Sequence, residues 1–423
     1  MGRIKELVLK PLLLGFLTLV FLGFFGEFWT TTNTNWKRSY KAPNVLLDSA
    51  IAHTKDGFLI SVPENYGYLQ SDYKPIKTDE QGKIEWTSIF GRTGWEESIS
   101  SIVPTSDGGF VLVGDSSPQL FQTYLYISKI DSTGNEEWHT DIGYPRCSGT
   151  DIVEAYQGGY IAVGKRDDAY ERYPNLYIVR VDSNGKMVWD KELGGDSYEW
   201  ADAVCFHDYH FVVAGTCDTE SDSGDAIWVM KFNSLGEVIW ETRIDGPARE
   251  GASDVEVTID GGYIVAGSTG SWGDGGSSFL AVKFDSSGNE EWRRVYSTDS
   301  WDNCHSVTVT SDGGYLFVGS SGLDMMIVKA DSEGHEVWRK ILGGLYSWDE
   351  GFWGFETDSG KYVIGGVSSF FAFPSKVILF ELCEGGLPSE NRAFWLGWLV
   401  KLTILSIMAL VIFNVLTKWS FYK

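Results

Sequence analysis

The chain has 423 residues, of which 15% are aromatic and 49 are glycine, and its formal net charge at pH 7 is −24. This charge excludes nucleic acid as a partner because phosphates would be repelled. The five cysteines include no C-x-x-C spacing, which excludes a common zinc motif and a dense disulfide framework. Cys205 and Cys217 flank one predicted hairpin, and a bridge between them in an oxidising compartment is left open.

Two apolar segments flank the body of the chain. Residues 7–29 are predicted to be a transmembrane anchor or a signal segment, and residues 393–417 a transmembrane helix, since about 20 apolar residues cross a bilayer. Basic residues lie beyond the outer tip of each segment. The positive-inside rule therefore puts the C-terminus, and the N-terminus of an uncleaved anchor, in the cytoplasm. We expect an integral protein of the cell membrane with residues 33–390 outside.

A repeat of about 50 residues fills the body of the chain. The stretch "SDGGFVLVG" at 106–114 has the pattern of a turn followed by a strand, and related stretches occur in seven places. The aromatic residues that follow the seven turns are Phe58, Phe110, Tyr160, Phe211, Tyr263, Tyr315 and Tyr362. Each unit contains a second turn before another short apolar run. Two hairpins per unit predict four antiparallel strands, the content of one propeller blade.

In most units the fourth strand carries a tryptophan four residues after a glycine. Six units contain it, as Trp86, Trp138, Trp189, Trp240, Trp292 and Trp338. The seventh unit lacks this strand, but Trp36 lies 50 residues before Trp86, in register with the others. We therefore predict an all-β, seven-bladed propeller over 33–390 whose N-terminal strand completes the last blade and removes the exposed strand edges.

The repeat resembles a known group. The element Asp285-x-x-Gly288-x-x-x-Trp292 is similar to the tryptophan motif of pyrroloquinoline-quinone-type propeller repeats. Together with "DGGYIVAG" it also resembles secreted or membrane-anchored propeller-repeat proteins of archaea and bacteria. Quinone-dependent dehydrogenases of this group have eight blades, a calcium-bound cofactor and a vicinal cysteine pair. With seven units and no adjacent cysteines, the resemblance implies a binding scaffold here.

Loops between consecutive blades pair an aromatic residue with an acid. These loops share one face with the variable loops between second and third strands, where function concentrates in propellers. The predicted ligand-binding rim consists of Trp95, Glu96, Tyr198, Glu199, Trp301, Asp302, Trp348 and Asp349. Aromatic faces beside carboxylates suit a sugar, a cationic peptide or a metal ion. The alternative is that the rings pack between blades and the acids face solvent.

The variable loop "DTESDSGDA" is the candidate metal site. Asp218, Glu220, Asp222 and Asp225 offer hard oxygen ligands at spacings that calcium accepts. The alternative is a solvated acidic loop. No other cofactor is predicted.

No catalytic residue is assigned, since no nucleophile elbow, H-E-x-x-H, P-loop or dinucleotide motif occurs. The sequence favours a non-enzymatic scaffold for ligand binding, adhesion or assembly, with an extracellular protein or carbohydrate as partner. The alternative is an enzyme, a calcium-dependent hydrolase or a quinoprotein-like oxidoreductase, that uses carboxylates at the channel mouth.

Overall fold

The computed structural model describes residues 34–41, 50–67, 70–119, 122–143, 146–156, 158–167, 173–195, 197–219, 224–274, 276–343, 347–370 and 376–382. The described residues form 28 β-strands and no helix. The apolar segments 7–29 and 393–417 lie outside these residues. Within the described part of the chain, no helix is long and apolar enough to cross a bilayer.

The strands pair as seven sets of four antiparallel strands, here numbered as sheets. Sheet 1 contains β2 (Ala50–Thr54), β3 (Gly57–Gly67), β4 (Gln70–Asp79) and β5 (Ile84–Thr87). Sheet 2 contains β6 (Glu96–Pro104), β7 (Phe110–Gln119), β8 (Gln122–Ile130) and β9 (Glu136–Ile142). Sheet 3 contains β10 (Arg146–Glu154), β11 (Tyr160–Asp167), β12 (Asn175–Val181) and β13 (Met187–Leu193). Sheet 4 contains β14 (Glu199–His207), β15 (His210–Asp218), β16 (Asp225–Asn233) and β17 (Val238–Ile244).

The remaining sets follow the same order along the chain. Sheet 5 contains β18 (Glu250–Val257), β19 (Tyr263–Thr269), β20 (Ser278–Phe284) and β21 (Glu290–Tyr296). Sheet 6 contains β22 (Asp302–Val309), β23 (Tyr315–Ser321), β24 (Asp324–Ala330) and β25 (Glu336–Leu342). Sheet 7 contains β26 (Ser347–Glu356), β27 (Tyr362–Phe370), β28 (Lys376–Leu382) and β1 (Thr34–Lys41). Single parallel bridges, Ser71 to Glu96 and Thr123 to Arg146, join sheets 1, 2 and 3.

Hydrophobic cores lie between the sheets. The second and third strands of each set are almost wholly buried, whereas the fourth strands alternate between exposed and half-buried positions. Seven clusters of buried side chains each join two neighbouring sheets, and one of them joins sheet 7 to sheet 1 through Tyr40, Ile51 and Val363. Each sheet therefore buries both faces, and the all-β propeller architecture predicted from the repeat is confirmed.

The predicted closure by the N-terminal strand is confirmed by its pairing. Strand β1 runs antiparallel to β28, with Trp36 opposite Glu381 and Tyr40 opposite Val377. The Trp36 indole donates a hydrogen bond to Glu381 (3.3 Å), and the Tyr40 hydroxyl donates to the Gly82 carbonyl of sheet 1 (2.6 Å). The first strand in the sequence thus occupies the outer edge of the last sheet.

The glycine–tryptophan marker links each sheet to the next at the outer rim. The tryptophan ring of one sheet lies against the second-turn glycine of the following sheet so closely that a Cβ on that glycine would overlap or crowd the ring. The described pairs are Trp36–Gly82, Trp86–Gly134, Trp138–Gly185, Trp189–Gly236, Trp240–Gly288 and Trp292–Gly334. The same rings contact the aromatic residue after the first turn, as in Trp240–Tyr263 (centroids 6.0 Å apart). Packing between sheets accounts for both sequence markers.

The disulfide that the sequence left open is absent between Cys205 and Cys217, which are both free thiols. Cys205 pairs with Val212 and Cys217 with Glu199, so the two cysteines lie at opposite ends of the same hairpin. Bridging them would need Cα atoms within about 7 Å, which this register does not provide.

Candidate functional site

The two faces of the ring differ in their connections. Because the strands alternate in direction, the loops between second and third strands emerge on the same face as those between consecutive sheets. We call it the loop face, and the opposite face, which carries both short hairpins of every sheet, the turn face. In sheet 5 the first hairpin on the turn face is closed by hydrogen bonds between Thr258 and the Gly261–Gly262 segment.

The acids of three predicted rim pairs are buried at the loop face. Glu199, Asp302 and Asp349 each stand near the start of a first strand and are less than one-tenth exposed. Asp302 accepts hydrogen bonds from the Thr298 backbone N–H (2.6 Å) and hydroxyl (2.7 Å). Burial raises the pKa of the Glu199 carboxyl. These acids hold the loops that precede them, whereas Glu96 is exposed.

Three of the four predicted rim aromatics are exposed, in contrast to the buried acids beside them. Trp301 is 68% exposed, Trp348 46% and Tyr198 45%. Tyr198 and Trp301 directly precede a first strand, and Trp348 is the second residue of β26. Trp95 is half-buried, with the Arg92 guanidinium 3.8 Å from its ring centroid. Exposed aromatic side chains of sheets 4, 6 and 7 therefore lie on the loop face. Ligand binding by these side chains stays a prediction.

A groove opens beside Tyr198. Its central cavity of about 600 Å³ is lined by residues of sheets 3 and 4, namely Arg146, Thr150, Lys165, Asp167, Tyr173, Pro174, Tyr198, Trp200 and Asp202. A cavity of about 360 Å³ continues from it toward Thr123 of sheet 2. Another of about 260 Å³ shares Trp200 and Asp202 and continues toward Arg249 and Ser277 of sheet 5. The three cavities together cross four sheets.

Asp202 occupies the middle of this groove. It lies at a bulge in β14, opposite the Gly215–Ala214 step of β15, and accepts hydrogen bonds from Trp200 Nε1 (3.0 Å) and Thr216 Oγ1 (3.0 Å). Burial raises the pKa of its carboxyl to about 7, against the opposing attraction of Lys165. A carboxyl that titrates near neutral pH and opens into a cavity can donate or accept a proton.

Other carboxylates join the first strands of neighbouring sheets. Asp151 accepts hydrogen bonds from Val204 N of sheet 4 (2.8 Å) and Ser101 Oγ of sheet 2 (2.7 Å). Asp254 accepts from Val307 N (2.9 Å), and Glu256 accepts from Val309 N (2.8 Å). The first strands β14 and β22 pair with a second strand on one side only, so these contacts satisfy backbone donors on their open edges.

The calcium prediction falls partly outside the described residues, since Glu220 and Asp222 are not among them. Asp218 and Asp225 face each other as the last pair of the β15–β16 ladder. The Arg249 guanidinium lies 3.7 Å from the Asp225 carboxylate. Within the described ranges no group of three or more His, Cys, Asp or Glu side chains could hold a metal ion. Calcium binding at this loop stays a prediction.

Most of the groove was not anticipated from the sequence. Tyr198 belonged to the predicted rim, but Arg146, Lys165, Tyr173 and Trp200 did not. Arg146 and Lys165 lie on adjacent strands near the loop-face end, where Ser148 pairs with Lys165. Two cations at the same end of a predicted hairpin, in a chain with 58 acidic and 34 basic residues, were the available signal.

Two solved structures are similar to this chain at low sequence identity. A polysaccharide lyase of family PL25, an ulvan lyase bound to -[GlcA(1-4)Rha3S]-, is 10% identical over 83% of this chain and 96% of its own, with a TM-score of 0.52. The β-propeller domain of the Trilobed protease from Pyrococcus furiosus is 10% identical over 85% of this chain and 99% of its own (TM-score 0.47). The ulvan lyase likeness shows a shared fold.

Sequence comparison gives the family. No curated protein matches the chain. A sequence family described as outer membrane protein assembly factor BamB matches residues 125–345, which contain complete sheets 3 to 6. The expected likeness to propeller-repeat proteins is therefore confirmed. Because the match spans more than half of the chain, the protein belongs to the family described as outer membrane protein assembly factor BamB.

Proposed function

We propose that this protein is a seven-bladed extracellular propeller, held in the cell membrane by one or two helices, that acts as a non-enzymatic scaffold for ligand binding, adhesion or assembly. The observation that carries the proposal is the groove on the loop face, with aromatic and charged side chains in one continuous depression. Grooves of this composition on a rigid ring are typical ligand sites. The assembly role in the family's description agrees with a scaffold.

The membrane part of the proposal follows from the chain's course. Thr34, at the start of β1, pairs with Leu382, at the end of β28. The second hairpins lie on the turn face, so both ends of the described fold are at that face. Apolar segments 7–29 and 393–417 continue from these ends. We therefore propose that the turn face lies toward the bilayer and the loop face away from it.

Two exposed tyrosines on opposite faces give a matched test. Tyr198 on the loop face packs at a tilt against Tyr173 (4.3 Å between ring centroids), and Tyr156 on the turn face packs edge-to-face against Tyr209 (4.2 Å). Intact cells that express the full chain are exposed to membrane-impermeant, fluorescent oligosaccharide and peptide probes. We expect Tyr198→Ala to lower retention of a bound probe at least fivefold, and Tyr156→Ala to leave it unchanged.

Several outcomes would contradict the proposal. If neither intact cells nor the detergent-solubilised protein retain any of the probes, a role in binding these classes of ligand is contradicted. An equal loss from both variants contradicts the assignment to the loop face. Binding in detergent together with none on intact cells contradicts the extracellular location alone.

Asp202 favours a second candidate, an enzyme that transfers a proton to or from a bound ligand. Its carboxyl has a pKa of about 7, raised by burial, and opens into the groove. If the groove is catalytic, Asp202→Asn keeps binding and abolishes turnover of the retained probe. An unchanged probe after prolonged incubation with the wild-type protein removes this candidate.

A further inference from the structure

We propose that the groove binds an anionic saccharide, carboxylated or sulfated, whose acid group lies at Arg146 and Lys165 and whose sugar rings stack on the neighbouring aromatics. This inference rests on the proposed binding function and gives it a ligand class.

The anionic subsite is the cavity of about 360 Å³ between sheets 2 and 3. Its lining consists of Thr123, Arg146, Ser148, Lys165 and Asp167, two cations and two hydroxyls with a single acid. The chain as a whole has 24 more acids than basic residues, so this balance is a local reversal. A guanidinium and an ammonium in one concave site favour a carboxylate or sulfate ligand.

The adjoining stacking subsite has an aromatic wall. Tyr173, Tyr198 and Trp200 line the cavity of about 600 Å³, which also contains Arg146 and Lys165. Two backbone hydrogen bonds fix this wall, from Asp218 N to Tyr198 O (2.9 Å) and from Glu199 N to Pro174 O (2.9 Å). Sugar rings present apolar C–H faces that pack on aromatic rings, so a rigid wall binds them with little loss of side-chain entropy.

The length and polarity of the groove favour a chain of sugars over an acidic peptide. Side-chain hydroxyls occur along its whole course, at Thr123, Ser148, Thr150, Thr216, Ser268 and Ser277. Asp167 and Asp202 add carboxyl acceptors for sugar hydroxyls, which the side chains of a peptide of Asp or Glu do not supply. The Arg146–Lys165 end has more cations than acids, whereas the cavity at the other end has Asp202, Asp225 and Glu250 beside Arg249. This polarity, with rings and hydroxyls between the two ends, matches an oligosaccharide with an acidic unit at one end.

The test uses defined probes and the full chain in detergent. Isothermal titration compares tetragalacturonate, a sulfated carrageenan tetrasaccharide, methyl-esterified tetragalacturonate and tetraglutamate. We expect at least one acidic saccharide to bind tenfold or more tightly than the methyl ester. Lys165→Met should remove most of that difference. The matched control Lys186→Met changes an exposed lysine on the turn face of the same sheet and should leave it intact.

Three results would overturn the inference. They are equal affinity for the acidic saccharides and the methyl ester, equal or tighter binding of tetraglutamate, and no binding of either acidic saccharide. The binding scaffold itself survives if the methyl ester or tetraglutamate binds and Tyr198→Ala removes that binding. It fails together with the inference if no probe binds.

Discussion

The first turn of sheet 4 lacks the glycine that the first turns of the other sheets contain. Asp208 and Tyr209 close the β14–β15 hairpin with φ angles of 50° and 66°, and His207 pairs directly with His210. Two consecutive left-handed residues suit a two-residue hairpin, where Asn-Gly and Asp-Gly are usual, so Asp208 fits its position and Tyr209 is the strained residue.

Tyr209→Gly should stabilise the fold by about 1 kcal/mol, because glycine adopts positive φ without a Cβ clash. The melting temperature of the solubilised protein measures the change. Gly108→Ala is the converse control, since Gly108 has a φ of 87° and its added Cβ would meet nothing within 4 Å. A gain from Gly108→Ala, or a loss from Tyr209→Gly, would show that φ does not govern the stability of these turns.

Buried lysines form a repeated link between the strands of one sheet. In sheet 5 the buried Lys283 of β20 pairs with Asp260 of the first turn (2.9 Å) and Glu291 of β21 (2.7 Å). Lys77, Lys129 and Lys329 make corresponding contacts in sheets 1, 2 and 6. Sheet 7 reverses the charges, with Lys361 in the turn and Glu381 on β28 (3.1 Å).

The outer element of sheet 7 can be tested through its tryptophan. Trp36 and Trp240 are both half-buried, and each lies against the turn glycine of the next sheet. If β1 stabilises the fold as much as β17 does, Trp36→Ala and Trp240→Ala should each lower the free energy of unfolding by roughly 2–4 kcal/mol. Denaturant titration measures both variants. A negligible effect of Trp36→Ala beside a large effect of Trp240→Ala would mean that β1 contributes little to closing the ring.

The sequence predicted local features well because each has a local cause. The turn glycines, the packed aromatics and the Trp36 register follow from backbone conformation and from the repeat itself. The buried lysines were not anticipated, since Lys283 within an apolar run looks the same in sequence whether its amine meets solvent or two carboxylates. The groove could not be predicted from the sequence for another reason. Lys165 and Tyr198 belong to different sheets, and no spacing in the repeat indicates that they lie close together.

At the scale of the whole ring, two sets of carboxylates respond to pH in opposite directions. Asp107, Asp260 and Asp312 of the first turns have pKa values of about 2, because hydrogen bonds from a threonine, a backbone N–H and a buried lysine outweigh burial. The stability they contribute is present above pH 4 and is lost as the pH falls toward 2. Each is more than half exposed, so solvent screens this contribution.

The carboxylates that join neighbouring first strands change the stability of the fold with pH in the opposite direction. Burial raises the pKa of Asp151 to about 6 and that of Glu256 to about 7. Burial also raises the pKa of Asp254, with the charges of Glu256 and Asp151 adding to the shift. In the unfolded chain such groups titrate near pH 4, so the folded state binds protons more tightly. Their contribution is complete below pH 4 and is lost as the pH rises through 6 to 7.

We therefore expect the stability of the solubilised protein to be greatest near pH 4 to 5 and to fall between pH 5 and 8. Glu256→Gln should flatten this fall, because glutamine keeps an acceptor for Val309 N and has no proton to lose. Each unit of pKa shift corresponds to about 1.4 kcal/mol, so the difference between wild type and variant should grow by more than 1 kcal/mol across this range.

Glu237→Gln, at an exposed turn carboxylate of sheet 4, is the control and should keep the wild-type slope. Melting curves at half-unit pH steps measure all three proteins. A wild-type stability that rises from pH 5 to 8, or a Glu256→Gln slope equal to that of wild type, would mean that these carboxylates are ionised in the folded ring at neutral pH.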